Sequence, residues 1–123
     1  MENKELVIMD IKKGEVCVLK ICWKLDVNTS PLLEAKFSAL LETGEKDFIL
    51  DFSEVVYISS SGLRAVLMGA KKSAAAGGKT VLCALKPQII EVFNVAGFTP
   101  LFSLFATEEE ALALAKEKTG IRH

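Results

Sequence analysis

The chain has 123 residues, half of them hydrophobic, with 15 basic residues against 16 acidic ones and a formal net charge of -1. That size and apolar content suit one domain with a real core, and a single domain over 1–123 is the expectation. The balanced charge argues against nucleic acid and a charged membrane surface as partners, and no apolar run approaches the length of a membrane span.

Residues 1–5 lack the basic and apolar regions of a signal peptide, so a cytoplasmic chain is expected. Residues 5–11 alternate, with Leu6 and Ile8 on one face and Val7 and Met9 on the other. Lys13-Gly14 is a turn signal, and residues 15–22 read as a second strand with Cys17, Leu19 and Ile21 on one side. The two strands make an antiparallel hairpin in which at least one strand is central. Cys17 and Cys22 fall on opposite faces and do not pair with each other, and Cys83 lies in a later apolar run. All three read as buried reduced thiols. One histidine, His123, and no CxxC spacing leave nothing to hold zinc, so no metal and no cofactor are expected.

Trp23-Lys24-Leu25-Asp26 reads as a loop into the first helix, with Ser30 as N-cap and Pro31 at the first helical position. Leu33, Phe37, Leu40 and Leu41 recur at helical spacing, and Gly44 ends the helix. Phe48–Asp51 is a short strand apolar enough to be covered on both sides. A loop then leads to Ser59-Ser60-Ser61-Gly62 and a helix over Leu63–Ala76. That helix buries Leu63, Val66, Leu67 and Ala70 and turns Arg64, Met68, Lys71 and Lys72 outward. The serine stretch supports two readings. One is an N-cap for exposed backbone N–H groups; the other is a phosphate-accepting serine at the positive end of the helix dipole.

Gly77-Gly78 stops that helix, and Thr80–Cys83 is the next strand. Pro87 opens a helix with Ile89, Ile90, Phe93 and Ala96, closed by Gly97. Pro100–Phe105 holds a short strand or an irregular apolar segment. Thr107 with Glu108, Glu109 and Glu110 makes a capping box, Lys116 and Lys118 sit where a helix C-terminus favours positive charge, and Gly120 is a natural stop. The order β-β-α-β-α-β-α-β-α implies a mixed sheet with helices packed against it and function at the C-terminal ends of its strands.

On these residues the chain resembles the STAS-domain family of bacterial anti-sigma factor antagonists. The resemblance runs through Lys24-Leu25-Asp26, Ile49-Leu50-Asp51-Phe52-Ser53, Ser59-Ser60-Ser61-Gly62-Leu63 and Gly77-Gly78-Lys79. It continues through Cys83-Ala84-Leu85-Lys86-Pro87, Val95-Ala96-Gly97-Phe98 and the Glu-rich start of the last helix. It implies an α/β fold: a STAS-like mixed β-sheet with an N-terminal hairpin and about four helices packed against it. The family pattern at the loop is Asp-Ser-Ser/Thr/Ala-Gly-Leu. By position Ser60 is the serine that a partner kinase phosphorylates, with Ser61 and Ser59 as alternatives, and Ser59 stands where many members have Asp.

The resemblance further implies partner switching that governs transcription. The unphosphorylated chain binds an anti-sigma factor that is a serine protein kinase holding ATP, and a sigma factor is released. Phosphorylation reverses this and a serine phosphatase restores it. The implied contact residues are Asp26, Ser59, Ser61, Gly62, Arg64, Met68 and Trp23, on a monomer or weak dimer. Trp23-Lys24 departs from the Gly-Glu of many members, and Trp23 is read either as a partner anchor or as packing on its own hairpin. Asp26 is read either as a contact or as the residue that orders its turn.

No catalytic residue is expected. A Ser60 nucleophile would need a base, His123 is the sole histidine, and both the Gly-x-Ser-x-Gly and Walker patterns are absent. The alternatives within the fold are a scaffold or binding subunit of a signalling assembly and a small-ligand binder.

Overall fold

The computed structural model describes residues 7–120, with side chains described for 7–114. Leu6 and His123 therefore lie outside the described residues, as do the side chains of Lys116 and Lys118. Strand β2 (Val16–Leu25) is central. Its odd-numbered residues Cys17, Leu19 and Ile21 enter one core and its even-numbered Val16 and Val18 enter a second. Strand β1 (Val7–Lys13) pairs antiparallel with it at one edge, across the turn where Gly14 takes φ +65°.

Helix α1 (Ser30–Glu42), β3 (Asp47–Ile58), helix α2 (Ser60–Ala75), β4 (Thr80–Cys83), helix α3 (Pro87–Val95) and β5 (Leu104–Phe105) follow, and α4 (Glu108–Gly120) ends the chain. The sheet runs β1-β2-β3-β4-β5, with β2 to β5 mutually parallel. Each crossover steps one strand over in the same direction, and crossovers of one hand then leave their helices on one face. The cores bear this out. Leu33 and Phe37 of α1, Leu63 and Val66 of α2, and Ile89 and Phe93 of α3 share one cluster with Phe48, Leu50 and Leu82. Ala111 of α4 covers Ile49, Val81 and Cys83 on the other face. Phe48–Asp51 is thus buried on both sides, as its apolar run predicts.

Several boundaries differ from the sequence reading. β2 continues to Leu25, so Trp23 and Lys24 belong to a strand and not to a loop. α1 is preceded by Thr29 at the cap position. Ser30 is buried and its N–H donates to the Asp26 carbonyl at 2.8 Å. β3 is not a short strand: it runs on to Ile58, and the expected loop before the serines is strand. α2 begins at Ser60, three residues early. Ala65 and Gly69 take the fully buried positions, and Leu67 and Ala70 are only half-buried. In α3, Ile90 is half-buried and Ala96 is an exposed C-cap. Residues 99–101 form a 3-10 turn ahead of the two-residue β5. At α4, Thr107 Oγ1 accepts from the Glu110 N–H at 3.1 Å, but Glu110 Oε1 reaches the Ala106 N–H at 3.3 Å, one residue before the reciprocal partner of a capping box. Cys17 and Cys83 are buried; Cys22 is only half-buried.

Helices α1 and α2 meet where the Phe37 ring lies over Gly69, edge-on to Phe48 at 5.0 Å. A methyl at Gly69 would stand 2.3 Å from that ring. Gly69→Ala should therefore cost about 1–3 kcal/mol in urea denaturation, and pairing it with Phe37→Leu should recover part of the loss. A neutral Gly69→Ala would contradict this packing.

Candidate functional site

The site starts with an irregularity in β3. Lys20 of β2 faces Asp51, but Cys22 faces Glu54, so two residues of β3 stand opposite one of β2. The shift recurs between Trp23, opposite Val55, and Lys24, opposite Tyr57. Bulges leave backbone groups outside the ladder, and those groups need partners. At the first bulge both are found. Asp51 Oδ1 accepts from the Ser53 N–H at 2.9 Å, and Lys86 Nζ donates to the Ser53 carbonyl. At the second, Trp23 carries φ +97°, a backbone region that residues other than glycine rarely adopt.

These shifts change which residues face inward. Beyond Phe52 the core positions are Val55 and Ile58, each three residues on, and Tyr57 is turned out, half exposed. The Ser59 N–H donates to the Leu25 carbonyl at 3.0 Å, which ties the end of β3 to the end of β2. Gly62 lies against that same carbonyl, where a Cβ would come within 2.5 Å. Gly62 is buried, so its role is this close approach and it has no side chain to offer a partner.

The three serines then divide. Ser59, with extended backbone, is the N-cap: its Oγ accepts from the Gly62 N–H at 3.3 Å and its carbonyl accepts from Leu63 at 2.9 Å. Ser60 is the first residue of α2 and its side chain is exposed; Ser61 is half-buried. Among the described residues the N–H groups of Ser60 and Ser61 have no hydrogen-bond acceptor, which leaves two donors free at the positive end of a 16-residue helix.

Asp26 organises the neighbouring turn. Its Oδ1 accepts from the N–H of Asn28 at 3.0 Å and of Thr29 at 3.1 Å, and the Thr29 hydroxyl lies between that carboxylate and the Lys24 carbonyl. Desolvation works to raise the Asp26 pKa; the hydrogen bonds from Thr29 and Asn28, with Lys24 nearby, outweigh it and hold the carboxyl below its ordinary value. Burial pushes the Cys17 thiol up to about 11 and that of Cys83 up to about 12, so neither is a nucleophile at neutral pH.

Asp26, Ser59, Ser60 and Ser61 line one concave surface of about 720 Å³ together with Val27, Tyr57, Glu91, Val92, Val95 and Ala96. Arg64 and Met68 are exposed as helical phase predicts, yet they and Trp23 lie outside this concavity. Trp23 is half-buried, with Lys24 Nζ 5.1 Å from its ring centroid. The apolar lining was missed by the sequence reading. Val95 is 81% exposed and Val27 65% exposed. Val92 flanks the Ile89–Phe93 stripe of α3 and packs partly on the core, whereas Val95 falls off that stripe, and an apolar residue off the buried stripe is the signal that marks it. Among the described residues no group of acidic, Cys and His side chains could hold a metal, and no helix is long and apolar enough to cross a membrane.

The model of the family described as the STAS domain matches residues 8–111. A Bordetella bronchiseptica protein, BtrV, that carries the name of an anti-sigma factor antagonist is 43% identical over 84 residues, 68% of this chain and 72% of its own. The anti-sigma factor antagonist SpoIIAA in its unphosphorylated form superposes with a TM-score of 0.77 at 27% identity, over 97% of this chain and 100% of SpoIIAA. The phosphorylated form of Bacillus SpoIIAA gives 0.71 at 27% identity, over 90% and 99% of the two chains.

Two measurements check the local chemistry. Ser59→Ala should cost about 1 kcal/mol in denaturant unfolding through loss of the cap, whereas Ser60→Ala should stay within about 0.5 kcal/mol of wild type. Asp26, with its folded pKa lowered, contributes stability above its unfolded pKa, and this is lost as pH falls through the lower folded value. Between about pH 5 and pH 2, stability should therefore fall less steeply in Asp26→Asn than in wild type; parallel curves would contradict the assignment.

Proposed function

The chain belongs to the STAS-domain family, and from that premise we propose that it is an anti-sigma factor antagonist of the partner-switching kind, with Ser60 as its phosphorylation site. The observation that carries the reading is the division of labour among the serines. Ser59 is occupied as a cap, Ser61 is half-buried, and Ser60 presents an exposed hydroxyl beside two free backbone donors. SpoIIAA, which this chain matches over nearly its full length, is described in both an unphosphorylated and a phosphorylated form.

The unphosphorylated chain binds an anti-sigma factor that is also a serine kinase, through the concave surface around Ser60. Val27, Tyr57, Val92 and Val95 give that surface an apolar seat, and Asp26 fixes its rim by holding the β2–α1 turn. The antagonist supplies the acceptor hydroxyl; ATP and the catalytic groups belong to the kinase. A phosphate on Ser60 adds about -1.5 to -2 charge and three acceptor oxygens. Within the free chain the helix N-terminus tolerates it, at a gain of about 0.3–1 kcal/mol. Within a close complex it must be desolvated beside the apolar seat and Glu91, and the complex separates. A serine phosphatase in the cytoplasm returns the chain to its binding form.

The site is tested by incubating the chain with ATP and its partner kinase and mapping the phosphopeptide. A single phosphate on Ser60, absent in Ser60→Ala, is expected; phosphate on Ser59 or Ser61 alone would overturn the assignment. Ser60→Ala should keep partner binding, and Ser60→Asp should weaken it by at least about tenfold, or about 1.4 kcal/mol. Binding of Ser60→Asp at wild-type strength would contradict the electrostatic switch.

A further inference from the structure

We propose that β1 is a self-association edge, through which two copies of this chain pair antiparallel about a two-fold axis at Met9. The proposal stands apart from the serine site and does not depend on the function assigned to it.

Among the described residues strand β1 lies at one end of the sheet, with one side of its backbone paired to β2 and no described strand on the other. Its two faces differ. On the helix side, Ile8 packs on the core, Asp10 is held by Lys36 of α1 at 2.9 Å, and Lys12 by Glu45 at 2.7 Å. On the other face stand Val7, Met9 and Ile11, which are 49%, 44% and 45% exposed. Ile11 faces Val18, a member of the second core, across the hairpin. Three apolar side chains in alternation on an open edge are what natural sheets normally avoid unless the edge is used.

The sequence of the strand selects the occupant. Paired antiparallel strands place directly opposed residues on the same face. A two-fold axis at Met9 sets Val7 opposite Ile11 of the second copy, Met9 opposite Met9, and Ile11 opposite Val7. It is the register that matches all three apolar residues. It also sets Ile8 opposite Asp10, so no like charges meet within 7–11. Moving the axis to Asp10 would place two carboxylates opposite each other and Val7 against Lys13, which is unfavourable. The result is an isologous contact that joins two five-stranded sheets edge to edge. It is small, at the low end of specific interfaces, so the dimer is weak and concentration-dependent. None of its residues lines the concave surface at Ser60, which stays open in both copies.

Sedimentation equilibrium of the full chain, from about 10 μM to 1 mM, tests this; a monomer–dimer equilibrium with Kd in the upper micromolar range is expected. Met9→Glu puts two carboxylates on the axis while Lys20, opposite Met9 in its own chain, supports the substitution in the monomer. It should weaken the dimer at least tenfold with an unchanged circular dichroism spectrum. Mixing Met9→Glu with Met9→Lys should restore association as a mixed dimer. Ile11→Thr keeps strand propensity and should also weaken the dimer, which guards against a folding defect in either charged variant. A wild-type chain that stays monomeric throughout, including one that binds lipid vesicles through this face, would overturn the proposal. So would a dimer that Met9→Glu and Ile11→Thr leave unchanged.

Discussion

The arrangement at the site depends on how the backbone of Ser53 is satisfied. A bulge leaves an N–H and a carbonyl outside the ladder, and at half-buried Ser53 each carries a penalty of up to about 1–3 kcal/mol if left unpaired. Here Asp51, two residues back in the same strand, takes the N–H, and Lys86, from the connection between β4 and α3, takes the carbonyl. The bulge is therefore fixed by residues on either side of it. This first bulge brings Val55 into the core, and the second, opposite Trp23 and Lys24, brings in Ile58 and leaves Tyr57 facing out. The strand then ends with its last N–H on Leu25, and the helix can start at once, with Gly62 pressed on the same carbonyl. The position of Ser60 thus follows from both bulges, the first of them fixed by the hydrogen bonds at Ser53.

That geometry would suit Ser60 to carry the proposed switch while Ser59 supports the helix start. A hydroxyl used as a cap has its lone pairs committed to the helix start, and modifying it would remove about 1 kcal/mol of stability. A hydroxyl at the first helical position has no such duty and points to solvent. The family pattern has Asp where this chain has Ser59. Asp and Ser are among the best N-caps, so the departure exchanges one cap for another and preserves the local structure. What it removes is a formal charge beside the acceptor, which lowers the repulsion that a phosphate on Ser60 would meet.

Much of this was legible in the sequence because the signals were local. Gly14, Pro31, Gly44, Gly77, Pro87 and Gly97 punctuate the chain where elements begin and end, and Thr80–Cys83 was bounded to the residue. Alternation in β2 placed Cys17, Leu19 and Ile21 correctly. The second half of β3 was not legible. Its core residues fall at Phe52, Val55 and Ile58, a spacing of three that resembles neither a strand nor a full helical stripe. At the first of the two bulges responsible, the freed carbonyl is taken by Lys86, which is distant in sequence. Ser30 was misread as a cap for a similar reason: Asp26 and Thr29 organise the turn before it, and Ser30 is drawn into the interior. The outward Val27 and Val95 belong to no periodic pattern, so only the assembled surface shows them beside Ser60.

On the proposed reading, phosphate at Ser60 acts locally, on a preformed helix start, and leaves the sheet and cores as they are. The most direct test is a comparison of backbone amide NMR spectra of the chain before and after stoichiometric phosphorylation. A large downfield shift of the Ser60 and Ser61 amides is expected as they bond to the phosphate. Smaller changes should be confined to residues around the concave surface, with the resonances of β1, β4 and α4 unmoved. Widespread shifts through the sheet, or unchanged Ser60 and Ser61 amides in the phosphorylated chain, would contradict it.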